Sequence, residues 1–410
     1  MPPHSFMPLL IFALTYFVMA AGEFPRLRLD RAGAAFAGAV AMVTLGGMGE
    51  RAALAAIDFH TLGLLLGMMI VVANLRLSGA LSGAARALLE RTRSGFGMLA
   101  MTVAAAGALA AFFINDVVCL ALAPLLIELT TMVGAPPAPF LLALATASNI
   151  GSAATITGNP QNMIVAGFAH LGYGAFAIRV APAALAGLVI DYAVIAFIYR
   201  APLRRFRRDP AVAMPRRRRG SAWFRAKSVL IAAGVLIGFA FGLPTDLVAM
   251  GAAAVSLFTR RVKPVRVYRL VDWTMLLMFA GLFVVVAGAE RTGFQNDLVR
   301  MVGVARLSAT AALAVVVAAL SNLVSNVPAV MLMRPLYRSL GMGRPQALVI
   351  AAASTLAGNL TVLGSIANLI VVEHARRERI EIGFYEYLRV GAPVTVLTMA
   401  VGIAIVAAGG

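Results

Sequence analysis

The chain has 410 residues, 61% of them hydrophobic and only 13% charged, with 35 Lys and Arg against 17 Asp and Glu. A soluble domain carries about a quarter charged residues; here the apolar residues fall in runs long enough to cross a ~30 Å hydrocarbon core. The formal charge of +18 does not signal nucleic acid, because the arginines sit in short connections between apolar runs and no nucleic-acid-binding module accompanies them.

In chain order, the first span covers 6–22; it lacks the basic n-region of a signal peptide and is read as a retained span. Further spans are predicted at 32–48 and 60–75. Segment 97–134 reads as a helical hairpin with a polar tip, 139–170 as a span interrupted by Gly and Asn, and 177–199 as the last span of a first half. Residues 200–227 form a basic, proline-flanked linker with the run Arg216–Arg219, suited to the anionic cytoplasmic leaflet. The second half, 228–410, has its hairpin at 308–340 and its interrupted span at 346–375. No ten-residue alternating pattern appears, which argues against a membrane β-barrel. The expected fold class is an all-α polytopic membrane protein.

The halves repeat each other. Asp30 matches Asp246, Asp58 matches Asp272 and Gly79 matches Gly293. Asn115 and Pro124 match Asn326 and Pro335, and Thr155, Gly158 and Asn162 match Thr361, Gly364 and Asn368. The spacing between partners drifts in one direction, from 216 to 206 residues, as a few small deletions would produce. Each half crosses the membrane five times if its hairpin enters and leaves on one side. An odd number inverts the second half, an arrangement common in secondary transporters. With the termini periplasmic and the linker cytoplasmic in an inner membrane, the inward connections hold 27 of the 35 Lys and Arg, as the positive-inside rule requires.

In lipid, helix breaks are tolerated only where protein or a cavity surrounds them. Four occur here. Asn115 and Asp116 mark the first hairpin tip, and Ser325 and Asn326 the second. The first interrupted span carries Ser148, Asn149, Thr155, Gly158, Asn159, Pro160 and Asn162; the second carries Asn359, Thr361, Gly364, Ser365 and Asn368. Helix N-termini that stop at mid-membrane attract anions, whereas unwound carbonyls hold cations. Ser, Gly and Asn also serve as glue between membrane helices; matched placement in both halves favours a binding site. These sixteen residues are the candidate substrate or ion ligands. Asp116 is the only acid at a tip, and an intramembrane carboxylate is costly enough to be functional by default. Arg334, eight residues past Asn326, either snorkels outward or draws anions inward. The four histidines are unclustered and Cys119 is the single cysteine, so no metal site or cofactor is expected. There is no P-loop, which leaves any ATP hydrolysis to a separate ATPase subunit, and no enzyme-like nucleophile–base cluster.

The segments FINDVVCLALAPL, SNIGSAATITGNPQN, SNLVSNVPAV and LTVLGSIANLIV resemble the ion transporter superfamily over nearly the whole chain. They are most similar to its arsenite permease and NhaD-type branch, which includes citrate-transporter-like permeases; the divalent anion symporters are more distant. The resemblance implies homodimers that work by an elevator motion. It implies ion and substrate sites at Asn115, Asp116, Gly158, Asn159, Pro160 and Asn162, and at Ser325, Asn326, Gly364, Ser365 and Asn368, with sodium at the tips of the symporters. Two departures weaken sodium/dicarboxylate symport: the first tip reads Ile-Asn-Asp, and Ile366 replaces proline in the second interrupted span. The Asn-Asp tip is shared with arsenite permeases, which are thought to exchange protons. The expected function is proton-coupled secondary transport of a small inorganic or carboxylate anion or an arsenite-like solute. The alternatives are sodium/proton antiport and sodium-coupled dicarboxylate or citrate symport.

Overall fold

A computed structural model describes residues 6–21, 29–89, 92–207, 221–294 and 310–408. Among them lie twenty α-helices and two 3₁₀ turns. Seven of the helices are long and apolar enough to span a membrane.

The first half runs α1 (Phe6–Ala21), α2 (Arg31–Thr44), α3 (Glu50–Ala56), α4 (Phe59–Ser78), α5 (Ala80–Leu89), α6 (Gly95–Phe112) and α7 (Asn115–Met132). It continues with α8 (Ala138–Ser152), a 3₁₀ turn at Ile156–Gly158, α9 (Pro160–Ala169) and α10 (Tyr173–Ile198). After α11 (Arg200–Arg205) comes the second half: α12 (Ala222–Ala240), α13 (Thr245–Leu257), α14 (Pro264–Tyr268), α15 (Trp273–Glu290), α16 (Thr310–Val324) and α17 (Asn326–Ser339). It ends with α18 (Arg344–Ala357), a 3₁₀ turn at Val362–Gly364, α19 (Ile366–Arg377) and α20 (Phe384–Ala408). The short helices α3, α5, α11 and α14 were not expected from the sequence; at 5–10 residues they are too brief to leave a periodic signature.

Helix ends follow local chemistry. Asp58 and Asp272 cap α4 and α15 by accepting from the backbone N–H of Thr61 (3.1 Å) and Met275 (2.9 Å), as N-caps do. Gly79 and Gly293, which follow the same two helices, take positive φ of 74° and 77°, the left-handed conformation that glycine supplies at a helix end.

Packing crosses between the halves. Helix α2 lies against α15, and α4 lies against α13; likewise α7 packs on α19 and α17 packs on α9. Each pair has a counterpart with the halves exchanged. The closest approaches obey the same exchange. A Cβ on Gly67 would come within 2.6 Å of the Ala249 carbonyl carbon, and one on Gly281 within 2.6 Å of the Ala35 carbonyl oxygen. Small residues that let backbones meet are how apolar helices associate in lipid, where no hydrophobic force separates helix from solvent.

Candidate functional site

The tip of the α6–α7 hairpin, the tip of the α16–α17 hairpin and both interrupted spans meet at one cavity of about 590 Å³. Four helices begin at its wall: α7 with Asn115 and Asp116, α17 with Asn326, α9 with Pro160, and α19 with Ile366. The caps differ. Asn159 caps α9 by accepting from Asn162 N at 2.9 Å, and Ser365 caps α19 by accepting from Ala367 N at 3.3 Å. Neither tip helix has a side-chain cap, so the first-turn N–H groups of α7 and α17 are left for the cavity. Ser325 reaches this geometry with φ 77° and ψ 160°, a region almost confined to glycine. Strain of this kind concentrates at functional sites.

Behind the wall lies an amide network that ties the halves together. Asn149 on α8 fills all four of its hydrogen-bonding positions. Its Oδ1 accepts from Asn115 Nδ2 at 2.8 Å and Ser365 Oγ at 2.9 Å. Its Nδ2 donates to Asn359 Oδ1 and Asn368 Oδ1, both at 2.9 Å. The equivalent position in the other half is Thr355, whose hydroxyl accepts from Asn159 Nδ2 at 3.2 Å and Gln161 Nε2 at 3.3 Å and lies 3.4 Å from Asn162 Oδ1. Each hub thus grips the interrupted span of the opposite half. Asn162 and Asn368 close their own breaks by donating to the carbonyls of Thr155 (2.9 Å) and Thr361 (3.0 Å). Gly158 is required by contact, because a Cβ there would overlap the Ser152 carbonyl.

Of the sixteen candidate residues, Asn115, Asp116, Pro160, Ser325, Asn326 and Ser365 line the cavity. Asn149, Asn159, Asn162, Asn359 and Asn368 form the network behind it, and Gly158 and Gly364 allow the breaks to pack. Ser148, Thr155 and Thr361 do not line the cavity. Ser148 Oγ pairs with Cys119 Sγ at 3.1 Å, Thr155 Oγ1 bonds the Ala111 carbonyl, and Thr361 contributes its backbone. Arg334 does not line the cavity; its guanidinium lies over the Phe283 ring, 5.6 Å from the centroid.

Sequence reasoning missed several cavity residues. Asp30, Arg31, Asp272, Gln161 and Asn322 all line it. Asp30 and Asp272 belonged to matched pairs in the two halves, but only packing reveals which member of each pair faces inward. Asp116, Asp30 and Asp272 thus bring three carboxylates against the single guanidinium of Arg31. The Asp116 carboxyl has no hydrogen-bond partner among the described residues. Two side-chain carbonyls of lining residues, Asn115 Oδ1 and Asn322 Oδ1, are buried without a donor, although most such groups find one. The amide of Asn326 is oriented with its nitrogen toward the carbonyls of Ser354 (3.2 Å) and Gly364 (3.1 Å). The cavity therefore offers free donors from two helix ends and free acceptors from amides and carboxylates. Among the described residues no cluster could hold a metal ion.

A bundle of membrane-length helices that brings two hairpin tips and two interrupted spans to one cavity is built as a solute carrier. The family model described as Citrate transporter, CitMHS, matches residues 14–343, and the chain belongs to that family. It is 28% identical to the silicon efflux transporter LSI3 of Oryza sativa subsp. japonica, over 93% of each chain. It is 30% identical to an uncharacterized transporter of Mycobacterium tuberculosis, over 95% of this chain and 96% of the relative. A putative transporter arsB of Dictyostelium discoideum is 23% identical over 93% of this chain and 88% of its own. Among solved structures, the YdaH transporter of Alcanivorax borkumensis shares the fold, with a TM-score of 0.59 at 16% identity over 99% of this chain and 97% of that one. The chain is thus a multi-pass membrane protein and a secondary transporter of the anion-permease kind, not an enzyme.

Proposed function

We propose that the chain moves a small hydroxylated oxoacid, of the arsenite or silicic acid type, across the inner membrane in exchange for protons. The single observation behind this reading is the cavity's mixed lining. Uncapped N–H groups at the Asn115 and Asn326 helix starts call for acceptors on the solute. The unpartnered oxygens of Asn115 and Asn322, together with Asp30, Asp116 and Asp272, call for donors. A hydroxyl group is both. A fully ionised citrate brings three negative charges and a single hydroxyl donor to these carboxylates, a repulsive match in a site of low dielectric. The names of the rice and Dictyostelium relatives are consistent with solutes of this class.

Asp116 is the proton carrier in this reading: it sits at a tip, faces the cavity and is free of internal hydrogen bonds. Hairpins and interrupted spans move as one body against α1, α2, α4, α12, α13 and α15, in a homodimer. With the 200–227 linker cytoplasmic, the end of the cavity that carries Asp30 and Asp272 faces the cytoplasm. The lining's excess of carboxylates over cations favours positive charge in the cavity without grouping them as metal ligands, so sodium/proton antiport is the second reading.

Flux into proteoliposomes decides between them. Arsenite and silicic acid should move when a pH gradient is imposed, while citrate, sulfate and sodium should not. Sodium flux driven by the pH gradient without oxoacid flux would reject the proposal.

A further inference from the structure

One buried carboxylate lies outside the cavity and has no role in the site so far. Asp191, on α10, is 0% exposed, and neither of its oxygens has a hydrogen-bond partner. The Thr146 hydroxyl of α8 lies close enough to act on it but is given to the Leu142 carbonyl at 2.9 Å. On the facing helix α20, the hydroxyls of Tyr387 and Thr395 are also buried without partners.

No charge compensates this group. Helices α6 and α8 contain no ionisable side chain, and α18 has only Arg344, at its first residue. On α20, Tyr387 lies within electrostatic range of Asp191, while Glu386 accepts from Tyr199 at 2.9 Å and Arg389 acts on Tyr199. The cations of α11 and α12 are engaged elsewhere or carried at their far ends: Arg200 stacks on Phe197 and Lys227 donates to Val255 O. Cys119 of α7 acts on Tyr387 and bonds Ser148. A bare carboxylate would thus stand in the bundle with neither donors nor counter-charge, a state that folded proteins avoid.

The helix that packs against Asp191 is tied to the cavity. The Thr146 carbonyl accepts from Asn359 Nδ2 at 3.4 Å, Asn359 Oδ1 accepts from Asn149, and Asn149 holds Asn115 at the cavity wall. Thr146, Asn149 and Asp191 lie on helices packed directly together.

We propose that Asp191 is a second proton-carrying carboxylate of the transport cycle, buried behind the asparagine network and distinct from Asp116. This rests on the proton-coupled reading above. A proton taken from water on one side converts the carboxylate to the neutral acid and is returned to water on the other side. It needs one oxygen, whereas a metal cation needs several at once. The surroundings are otherwise apolar: Gly187, one turn before Asp191, packs on Ile150, and Ile195, one turn after, is fully buried.

The test is proton stoichiometry with arsenite as the probe. In proteoliposomes holding a fixed arsenite gradient, the pH difference that stops net flux is measured. Loss of one of two protons in Asp191→Asn should double that difference, while Asp191→Glu should leave it unchanged. An equal balancing difference in wild type and Asp191→Asn overturns the proposal. If wild-type arsenite flux ignores the pH gradient, the proton-coupled reading itself fails. A second readout needs neither transport nor the Asn variant to fold. Infrared spectra of the wild type should contain the stretch of a buried protonated carboxyl, displaced in Asp191→Glu; absence of that band from both proteins also overturns the proposal.

Discussion

Replacing Asn149 with alanine removes the centre of the amide network, and the structure sets the expected damage. Four partner atoms lose their only side-chain partner: Asn115 Nδ2, Ser365 Oγ–H, Asn359 Oδ1 and Asn368 Oδ1. Asn115 and Ser365 line the cavity and can turn to water. Asn359 and Asn368 are 0% exposed and cannot. Asn368 cannot rotate its amide either, because its Nδ2 is held by the Gly358 and Thr361 carbonyls at 2.8 and 3.0 Å. Two buried acceptors left unpaired, at about 1–3 kcal/mol each, give a loss of roughly 2–6 kcal/mol. The counterpart Thr355→Val should cost less, about 1 kcal/mol, since Asn159 keeps Ser152 Oγ at 2.9 Å and Gln161 faces the cavity. The assay is thermal unfolding of purified protein in one detergent, paired with arsenite flux in proteoliposomes. Asn149→Ala should melt several degrees below Thr355→Val and lose most transport. Equal melting temperatures for the two variants and wild type would show that the network does not hold the halves together, and the reasoning would be wrong.

Four further outcomes are expected. Asp116→Asn should fold and retain its hydrogen-bonding shape but lose pH-driven arsenite flux; undiminished flux would reduce Asp116 to a structural residue. Asn115→Leu and Asn322→Leu remove the two unpartnered oxygens, so each should weaken solute binding by roughly five- to 150-fold, equivalent to about 1–3 kcal/mol, read as a rise in half-saturation concentration. Gly158→Ala forces a Cβ onto the Ser152 carbonyl and should abolish transport, with Gly251→Ala, in open space, costing far less. Cysteines at Ser221 and Arg291, introduced beside the buried Cys119, should be labelled by an impermeant thiol reagent from opposite sides of the membrane; labelling from one side would defeat the proposed orientation.

The breaks were legible because membrane helices rarely tolerate Asn, Gly and Ser in runs, and here the runs recur at matched positions. Asn115, Asn326, Pro160 and Ser365 could therefore be assigned to one region from sequence alone. The direction of each side chain could not. Ser148 and Thr155 belong to the same polar runs as Asn149 and Asn159, yet they satisfy themselves on Cys119 of α7 and on the Ala111 carbonyl of α6, contacts that only the packing of helices brings together. Asp30 and Asp272 were visible only as members of matched pairs; they cap α2 and α15, with Asp30 accepting from Gly33 N at 2.7 Å. That they also face the cavity follows from α2 lying against α15, a pairing with no local signature. Asp191 was passed over because it sits late in an apolar span, away from every break.

The repeat also separates residues that build the site from residues that do its chemistry. Several positions kept in both halves are architectural: Gly158 and Gly364 admit the break, and Asn162 and Asn368 close it over the carbonyls of Thr155 and Thr361. The two proposed proton carriers stand at positions that differ. Asp116 stands opposite Val327, so only one of two equivalent tips has a carboxylate. Aligning Arg179-Val180 with Arg389-Val390 places Val401 opposite Asp191, so only one of two equivalent long helices has a buried acid. A symmetric pair of tips offers a solute the same helix-end field from both sides. A proton carried on one tip alone makes the two tips chemically inequivalent. Placing a carboxylate at Val327 while removing Asp116 should therefore not restore pH-driven flux. Asp116 lies within electrostatic range of Asp272, whereas the first turn of the second tip continues into Pro328, which has no N–H to give.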